Sequence, residues 1–264
     1  MNINKNLQKL PPYLDFIYGH IYNNPDVCKK EDMLSACNIR YLFQYGTLVR
    51  ALNKELKMNN NVIQLGISFG NQIEETAMNI GSLSQYDIAD ICQNELDRAS
   101  KKYSKEFKGI RFYHQDVRDI SSSQEYDIAI CFMLLSQVPS ASKRKIVNKA
   151  LQLVKKGGKV VFIDWHTPLF YHPLRYLVRM YNRLKHPFVE RLWDRDISSY
   201  AETEIRSRFS WRKTTYFGCM FQKCVATRKE DPIKSISKSD TDEESFFADQ
   251  YSQVDEGESL IDNL

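Results

Sequence analysis

Asn61-Val62-Ile63-Gln64-Leu65-Gly66-Ile67-Ser68-Phe69-Gly70 is the stretch on which the fold turns. Val62, Ile63 and Leu65 make a short apolar run of the kind found in a buried parallel strand. Gly66 and Gly70 bracket a turn and permit backbone conformations and close approaches denied to a residue with a Cβ. Residues 71–75 open a helical pattern, whose first turn presents unpaired N–H groups. Strand, glycine-bearing turn and helix start form the first half of a nucleotide-binding βαβ unit. Two glycines in such a turn are common, so the context decides. About twenty residues further on, residues 85–90 predict a second strand ending in Asp90, an acid placed to take both ribose hydroxyls of an adenosine ligand. Residues 110–116 predict a third strand, again ending in an acid, and residues 126–132 a fourth. Lys155-Lys156-Gly157-Gly158-Lys159 turns into a fifth over residues 160–164. Strands alternating with helices predict an α/β protein with a parallel, doubly wound sheet and its ligand at the strand C-termini.

The chain has 264 residues, enough for one large α/β domain with additions. Its first residues lack an apolar h-region, which argues against a secretory signal, and no apolar run is long enough to span a bilayer. Cys28, Cys37, Cys92, Cys131, Cys219 and Cys224 form no C-x-x-C pair, so free thiols in a reducing compartment are expected rather than a metal cluster. Charge is unevenly spread. Residues 230–264 hold eleven acids against Lys234 and Lys238, a balance of −9; with +4 for the whole chain, the remainder carries +13. A basic body suits anionic lipid headgroups or nucleic acid. No aromatic–basic RNA signature or zinc finger is present, so a membrane surface is the expected partner and nucleic acid is not.

Residues 1–57 are expected to form an N-terminal helical extension, residues 58–229 the ligand-binding domain, and residues 230–264 a disordered acidic tail. Tyr13, Leu14, Ile17, Tyr18, Ile21 and Tyr22 recur at helical spacing. They make either a packing face or a lid over an apolar, ring-bearing substrate, with Tyr13 and Tyr18 as candidate contacts. Pro25 ends this piece, and residues 39–56 predict a second helix. Ser140 or Ser142 is placed to cap the helix after the fourth strand, and Gly157 to close it. After Asp164 comes Trp165-His166-Thr167-Pro168-Leu169-Phe170-Tyr171-His172-Pro173-Leu174-Arg175. Two histidines and an acid thus gather at the ligand edge of the sheet, and Pro173 suits a first helical position. In the helix that follows, Leu174, Leu177, Val178, Tyr181 and Leu184 form an apolar stripe, and Arg175, Arg179 and Arg183 a basic one. That is the composition of an interfacial helix, or of a core-facing helix with a solvated basic side. Residues 188–206 predict a charged helix, and residues 210–216 and 220–227 a closing hairpin.

Five such strands, this turn and a terminal hairpin resemble a class I S-adenosylmethionine-dependent methyltransferase over residues 61–227. The resemblance implies a Rossmann-like, mostly parallel seven-stranded sheet with helices on both faces, and S-adenosylmethionine as cofactor. It assigns Gln64, Gly66, Ser68 and Gly70 to the methionine and ribose side, Asp90 to the ribose hydroxyls, Asp116 and Val117 to the adenine, and Met133 to the sulfonium. The usual motif has an acid where this chain has Gln64 and a glycine where it has Ser68. That acid helps hold the amino-acid end of the cofactor. Its loss weakens binding or changes what that end is used for.

Pro11-Pro12-Tyr13-Leu14, Leu134-Leu135 with Pro139, Lys156-Gly157-Gly158-Lys159, Asp164-Trp165-His166 and His172-Pro173-Leu174-Arg175 carry a narrower resemblance, to the rhodoquinone biosynthesis methyltransferase-like family (RquA). It implies replacement of a ubiquinone methoxy group by an amino group, with S-adenosylmethionine as nitrogen source and a divalent metal such as Mn2+. The family tends to carry His-Glu after the Leu-Leu pair, where this chain has Ser136-Gln137. On this reading Asp164, His166 and His172 are the candidate catalytic groups, and Asp164 and His166 the candidate metal ligands. Arg175 joins Tyr13 and Tyr18 as a substrate contact. The expected partners are a membrane-dissolved quinone and an anionic membrane surface met through the basic amphipathic helix. The expected location is cytoplasmic, peripheral to the inner membrane, or the matrix face of a mitochondrion. Two alternatives stand beside it: an ordinary methyltransferase for a quinone precursor or other lipophilic acceptor, and a catalytically inactive binding module, suggested by Gln64, Ser68 and Ser136-Gln137.

Overall fold

A computed structural model describes residues 10–121 and 125–230; the tail expected over 230–264 lies outside them apart from Glu230. Four helices precede the sheet: α1 (Pro12–Tyr22), α2 (Pro25–Glu31), α3 (Leu34–Arg40) and α4 (Tyr45–Asn53). There follow β1 (Val62–Leu65), α5 (Gln72–Ile80), β2 (Tyr86–Asp90), α6 (Gln93–Tyr103), β3 (Ile110–His114), β4 (Tyr126–Phe132), α7 (Ser140–Leu153) and β5 (Val154–Trp165). The chain then forms α8 (Arg175–Lys185), the short α9 (Glu190–Trp193) and α10 (Thr203–Ser207), and closes with β6 (Phe209–Tyr216) and β7 (Phe221–Arg228).

The strands lie in the order β3-β2-β1-β4-β5-β7-β6. The first five are parallel, and β7 enters antiparallel between β5 and β6. This is the Rossmann-like class I methyltransferase fold expected from the sequence. Both faces of the sheet are covered. Leu48, Leu52, Ile73 and Ala99 from α4, α5 and α6 belong to one buried cluster, and Ile146, Val147, Ala150 and Leu151 from α7 to the other. Strand order reverses between β1 and β4, so a crevice opens beyond their C-terminal ends, the place where such sheets bind ligands.

Local expectations fail where turn chemistry intervenes. The helix predicted over 39–56 is broken, because Leu42 and Phe43 adopt left-handed backbone (φ 52° and 60°) between α3 and α4. The first helical piece does end before Pro25, at Tyr22, but Pro25 also opens a further helix: it holds the first position of α2, behind the Asn24 side chain, which accepts from the Asp26 and Val27 N–H groups. Neither Ser140 nor Ser142 caps α7, whose N-cap is Pro139. Gly157 lies within β5, which starts at Val154 directly after α7. Residues 188–206 yield only α9, a 3-10 turn at Ile197–Tyr200 and the start of α10.

Glu55, just beyond α4, ties the helical layer to the antiparallel edge. Its Oε1 accepts from Lys223 Nζ at 2.7 Å and from an Arg212 guanidinium nitrogen at 2.8 Å, and Lys159 Nζ lies 3.5 Å from Oε2. Glu55 and Lys223 are both buried, and removing one partner of a buried pair strands the other charge. Glu55→Ala should therefore lower the unfolding free energy by about 3 kcal/mol in urea titration. Asp26→Ala, which breaks an exposed pair with Lys29, should change it by less than about 0.5 kcal/mol.

Candidate functional site

The turn between β1 and α5 is set by buried, uncharged hydrogen bonds. Gly66 and Gly70 take positive φ, 84° and 90°. Gln64 is fully buried; its Nε2 donates to the Gly66 carbonyl at 3.0 Å and reaches Ser68 Oγ at 3.5 Å. Its Oε1 accepts from the Tyr86 hydroxyl. Ser68 Oγ donates to Gln72 Oε1, and Gln72 Nε2 donates to Thr76 Oγ1 at 2.9 Å. The Tyr45 hydroxyl accepts from Gln72 N and donates to the Phe69 carbonyl, each at 2.9 Å. Charges lie outside this shell. The Arg40 and Arg98 guanidiniums each sit 5.2 Å from the Phe69 ring centroid. Asp32 accepts from the Gly70 N–H at 2.9 Å and pairs with Arg98 and Lys102.

Two cavities open at the sheet mouth. The first, about 50 Å³, is lined by Gly66, Asp90, Asp116, Val117, Leu134 and Tyr13 among others. The second, about 220 Å³, is lined by Ser68, Met133, Tyr18, Arg40, Tyr41 and His186 among others. Tyr22 and Gln137 belong to the walls of both. The Tyr22 hydroxyl donates to Gln137 Oε1 at 2.5 Å, and Gln137 Nε2 donates to the Met133 carbonyl at 2.8 Å. Met133 itself holds φ 54°, a left-handed conformation unusual for a non-glycine residue and one that clusters at functional sites. Each cavity falls short of the roughly 300 Å³ at which small-molecule sites begin. Tyr22 and Gln137 stand in the wall they share.

The two carboxylates of the first cavity differ. Asp90 Oδ2 accepts from the Ile67 N–H and Oδ1 from the Cys92 N–H, both at 2.7 Å. Burial nevertheless pushes its carboxyl up to about 6. Each oxygen keeps lone-pair capacity for a further donor. For Asp116, burial raises the carboxyl, but the Arg118 guanidinium and backbone N–H outweigh it and hold the group below the ordinary range.

Gly66, Ser68, Asp90, Asp116, Val117 and Met133 thus line the mouth, with Tyr13 and Tyr18 over it. Gln64 and Gly70 line neither cavity. The Gln64 amide is spent inside the network, and a Cβ at Gly70 would meet the Tyr45 hydroxyl, which fixes that glycine as a packing position. The proposed catalytic group is not assembled at the mouth either. Asp164 is buried, accepts from the Ser136 and Trp165 N–H groups at 3.0 and 2.8 Å, and has its carboxyl raised by burial. His166 Nδ1 lies 3.0 Å from the Cys219 carbonyl. The His172 ring packs edge-on to Phe217, 5.2 Å between centroids, and its Nδ1 accepts from the Leu174 N–H. The β6–β7 turn therefore holds both histidines. Among the described residues no three His, Cys, Asp or Glu side chains are grouped to hold a metal, and the Asp164 carboxyl and His166 imidazole are engaged by backbone groups. Arg175 begins α8, whereas the cavity meets that helix at Tyr181, Leu184 and Lys185, roughly 9 to 15 Å further along its axis.

Sequence reasoning missed the residues that take their place. His186 Nδ1 lies 3.1 Å from the Tyr18 hydroxyl, and burial pushes its imidazole down to about 4. Glu31 and Arg40 form an ion pair on the wall of the second cavity.

Residues 62–158 match a family model described as a methyltransferase domain. The matched stretch runs from β1 into β5 and includes every residue above that lines the first cavity except those of α1 and the segment before it. Solved structures agree on the fold. The N-methyltransferase NodS from Bradyrhizobium japonicum WM9, in complex with S-adenosyl-l-homocysteine, superposes with a TM-score of 0.57 at 12% identity, over 83% of this chain and 100% of that one. The CurJ carbon methyltransferase gives 0.56 at 13% identity, over 83% and 62%. A SAM-dependent methyltransferase from Aquifex aeolicus gives 0.51 at 14% identity, over 78% and 98%. No curated protein matches the chain.

The neutral network yields a prediction. Gln64→Glu supplies the acid usual at this motif, but places a carboxylate against the Gly66 carbonyl with no cation in reach of the network described. It should destabilise the protein by about 3 kcal/mol in urea titration rather than improve ligand binding.

Proposed function

We propose that the protein is an S-adenosylmethionine-dependent transferase whose acceptor is a lipophilic ring, with a membrane quinone or its precursor as the substrate class. The observation that carries this reading is the second cavity. It sets a neutral imidazole and a phenol, His186 and Tyr18, among Ile17, Ile21, Phe132 and Leu184, and it shares Tyr22 and Gln137 with the first.

The donor set fits the cofactor. Asp90 offers carboxylate oxygens to a ribose diol, Val117 and Leu134 give an apolar seat for adenine, and the Arg40–Glu31 pair matches a zwitterionic amino-acid end. The bound cofactor supplies an electrophilic methyl group on sulfur. The protein's share is to close α1 over the site, exclude water, and take a proton from the acceptor on His186, which is uncharged across the physiological range.

One observation favours the finer reading, in which an amino group replaces a ubiquinone methoxy group. The turn holds Gln64 and Ser68 in a network without a carboxylate, so the usual anchor of the cofactor's amino group is missing. Incubation with ubiquinone or a demethylated precursor, using cofactor labelled in its methyl carbon, separates the readings by mass spectrometry. A labelled methyl product marks methyl transfer, and an unlabelled aminoquinone marks the exchange. Cofactor binding with neither product leaves the inactive binding module.

Two results are expected. Because protonation of Asp90 removes the acceptor for the ribose hydroxyls, affinity for S-adenosylhomocysteine should drop roughly tenfold between pH 7 and pH 5, measured by calorimetry. Asp90→Asn should flatten that profile. His186→Ala should lower kcat by about 100-fold or more with little change in S-adenosylhomocysteine affinity. The acidic limb of kcat in the parent enzyme should lie near 4, not near the 6.5 of a free imidazole.

A further inference from the structure

We infer that the outward face of α8, with the loop before it, is a docking surface for an anionic lipid bilayer. Between Phe170 and Leu184 the chain exposes six large apolar side chains: Phe170, Tyr171, Tyr176, Leu177, Met180 and Leu184, each 59% to 80% accessible. Four of them fall on one arc of about 100° when α8 is projected at its ordinary helical pitch, in the order Tyr176, Met180, Leu184, Leu177. Val178 and Asn182 face the opposite way and are buried. The helix thus uses one side for the core and leaves a second apolar side in solvent. Isolated exposed apolar residues need no explanation, but a run of six marks an interaction site.

Charge selects the occupant. Residues 175–185 contain Arg175, Arg179, Arg183 and Lys185 and no acid. The three arginines form a row along one flank of the exposed arc. Arg179 lies 5.7 Å from the Trp193 ring centroid, and Arg183 meets Glu190 at 3.2 Å, so both are held beside the arc. An apolar arc edged by cations suits insertion at an anionic headgroup layer. A two-fold self-contact through the same arc would instead bring the arginine rows of two copies to one seam, where like charges repel. No described helix is long and apolar enough to cross a membrane, so the contact is peripheral.

The docking surface goes beyond the proposed reaction and stands without it. Joined to that reading it also gives the acceptor a route. Leu184 is both exposed and on the rim of the second cavity, beside Tyr181, Lys185 and the α1 residues Ile17 and Ile21. A bilayer touching α8 lies at that rim, and a ring on a hydrocarbon tail passes between α1 and α8 without crossing water.

The test is flotation of the full chain with vesicles of phosphatidylcholine alone or with one-third phosphatidylglycerol. The parent chain should partition onto the anionic vesicles at least tenfold better than onto the neutral ones, and 0.5 M salt should weaken this. Leu177→Glu combined with Met180→Glu should reduce partition at least tenfold with an unchanged thermal melt, since both side chains are exposed; Arg183→Glu should reduce it severalfold. Failure of the parent chain to float, or equal flotation of the double variant, overturns the inference. So does a dimer in sedimentation equilibrium that the double variant dissociates while neither protein binds vesicles, which would make the face a self-interface. Binding is read without catalysis, so vesicle binding by a chain inactive on quinones would refute the proposed reaction and leave the docking surface standing.

Discussion

The Gln64 amide is the constraint from which the site follows. It donates to Gly66 and accepts from Tyr86 inside a fully buried shell that also engages Ser68 and Gln72. A buried polar network is stabilising only when every member is satisfied, and here an uncharged amide, able both to give and to accept, satisfies a carbonyl on one side and a phenol on the other. A carboxylate cannot do both. The charged groups near this turn come from other elements: Glu31 and Arg40 from α2 and α3, Asp32 from the link between them, Asp90 from the end of β2, and Arg98 and Lys102 from α6. The helices before β1 are structural parts of the mouth, and Asp32 reaches the turn itself through the Gly70 N–H.

Much of the fold was legible in the sequence because it is encoded locally. Short apolar runs, each followed by a helical pattern, locate the five parallel strands, and the hairpin shows as two β-rich segments around Phe217-Gly218-Cys219. Asp90 and Asp116 were found for the same reason, since an acid just after a strand must stand at the edge of the sheet. What was not legible depends on how distant pieces pack. His166 and His172 follow β5 closely in sequence, yet the β6–β7 turn folds back against them and takes their ring contacts. His186 lies 168 residues from Tyr18, and no local pattern links the two.

The α8 helix shows the limit of periodicity as evidence. Leu174, Leu177, Val178, Tyr181 and Leu184 look like one stripe in sequence, but they straddle a boundary. Val178 packs inward, Leu174 and Tyr181 are half-buried, and Leu177 and Leu184 face solvent with Tyr176 and Met180. A helix that touches its domain along a single line needs only a narrow apolar strip for that purpose. The surplus apolar residues are unexplained by the fold, which is why a pattern that merely identifies amphipathicity leaves open whether the helix has one partner or two.

Gln137 touches Tyr22 with one end of its amide and the Met133 carbonyl with the other. The cover helix and the loop leaving β4 are thereby latched by a single side chain. The latch stands in the wall that the two chambers share. A displacement of α1 at Tyr22 would therefore be felt at the Met133 backbone, which couples the cover to the left-handed residue beneath it.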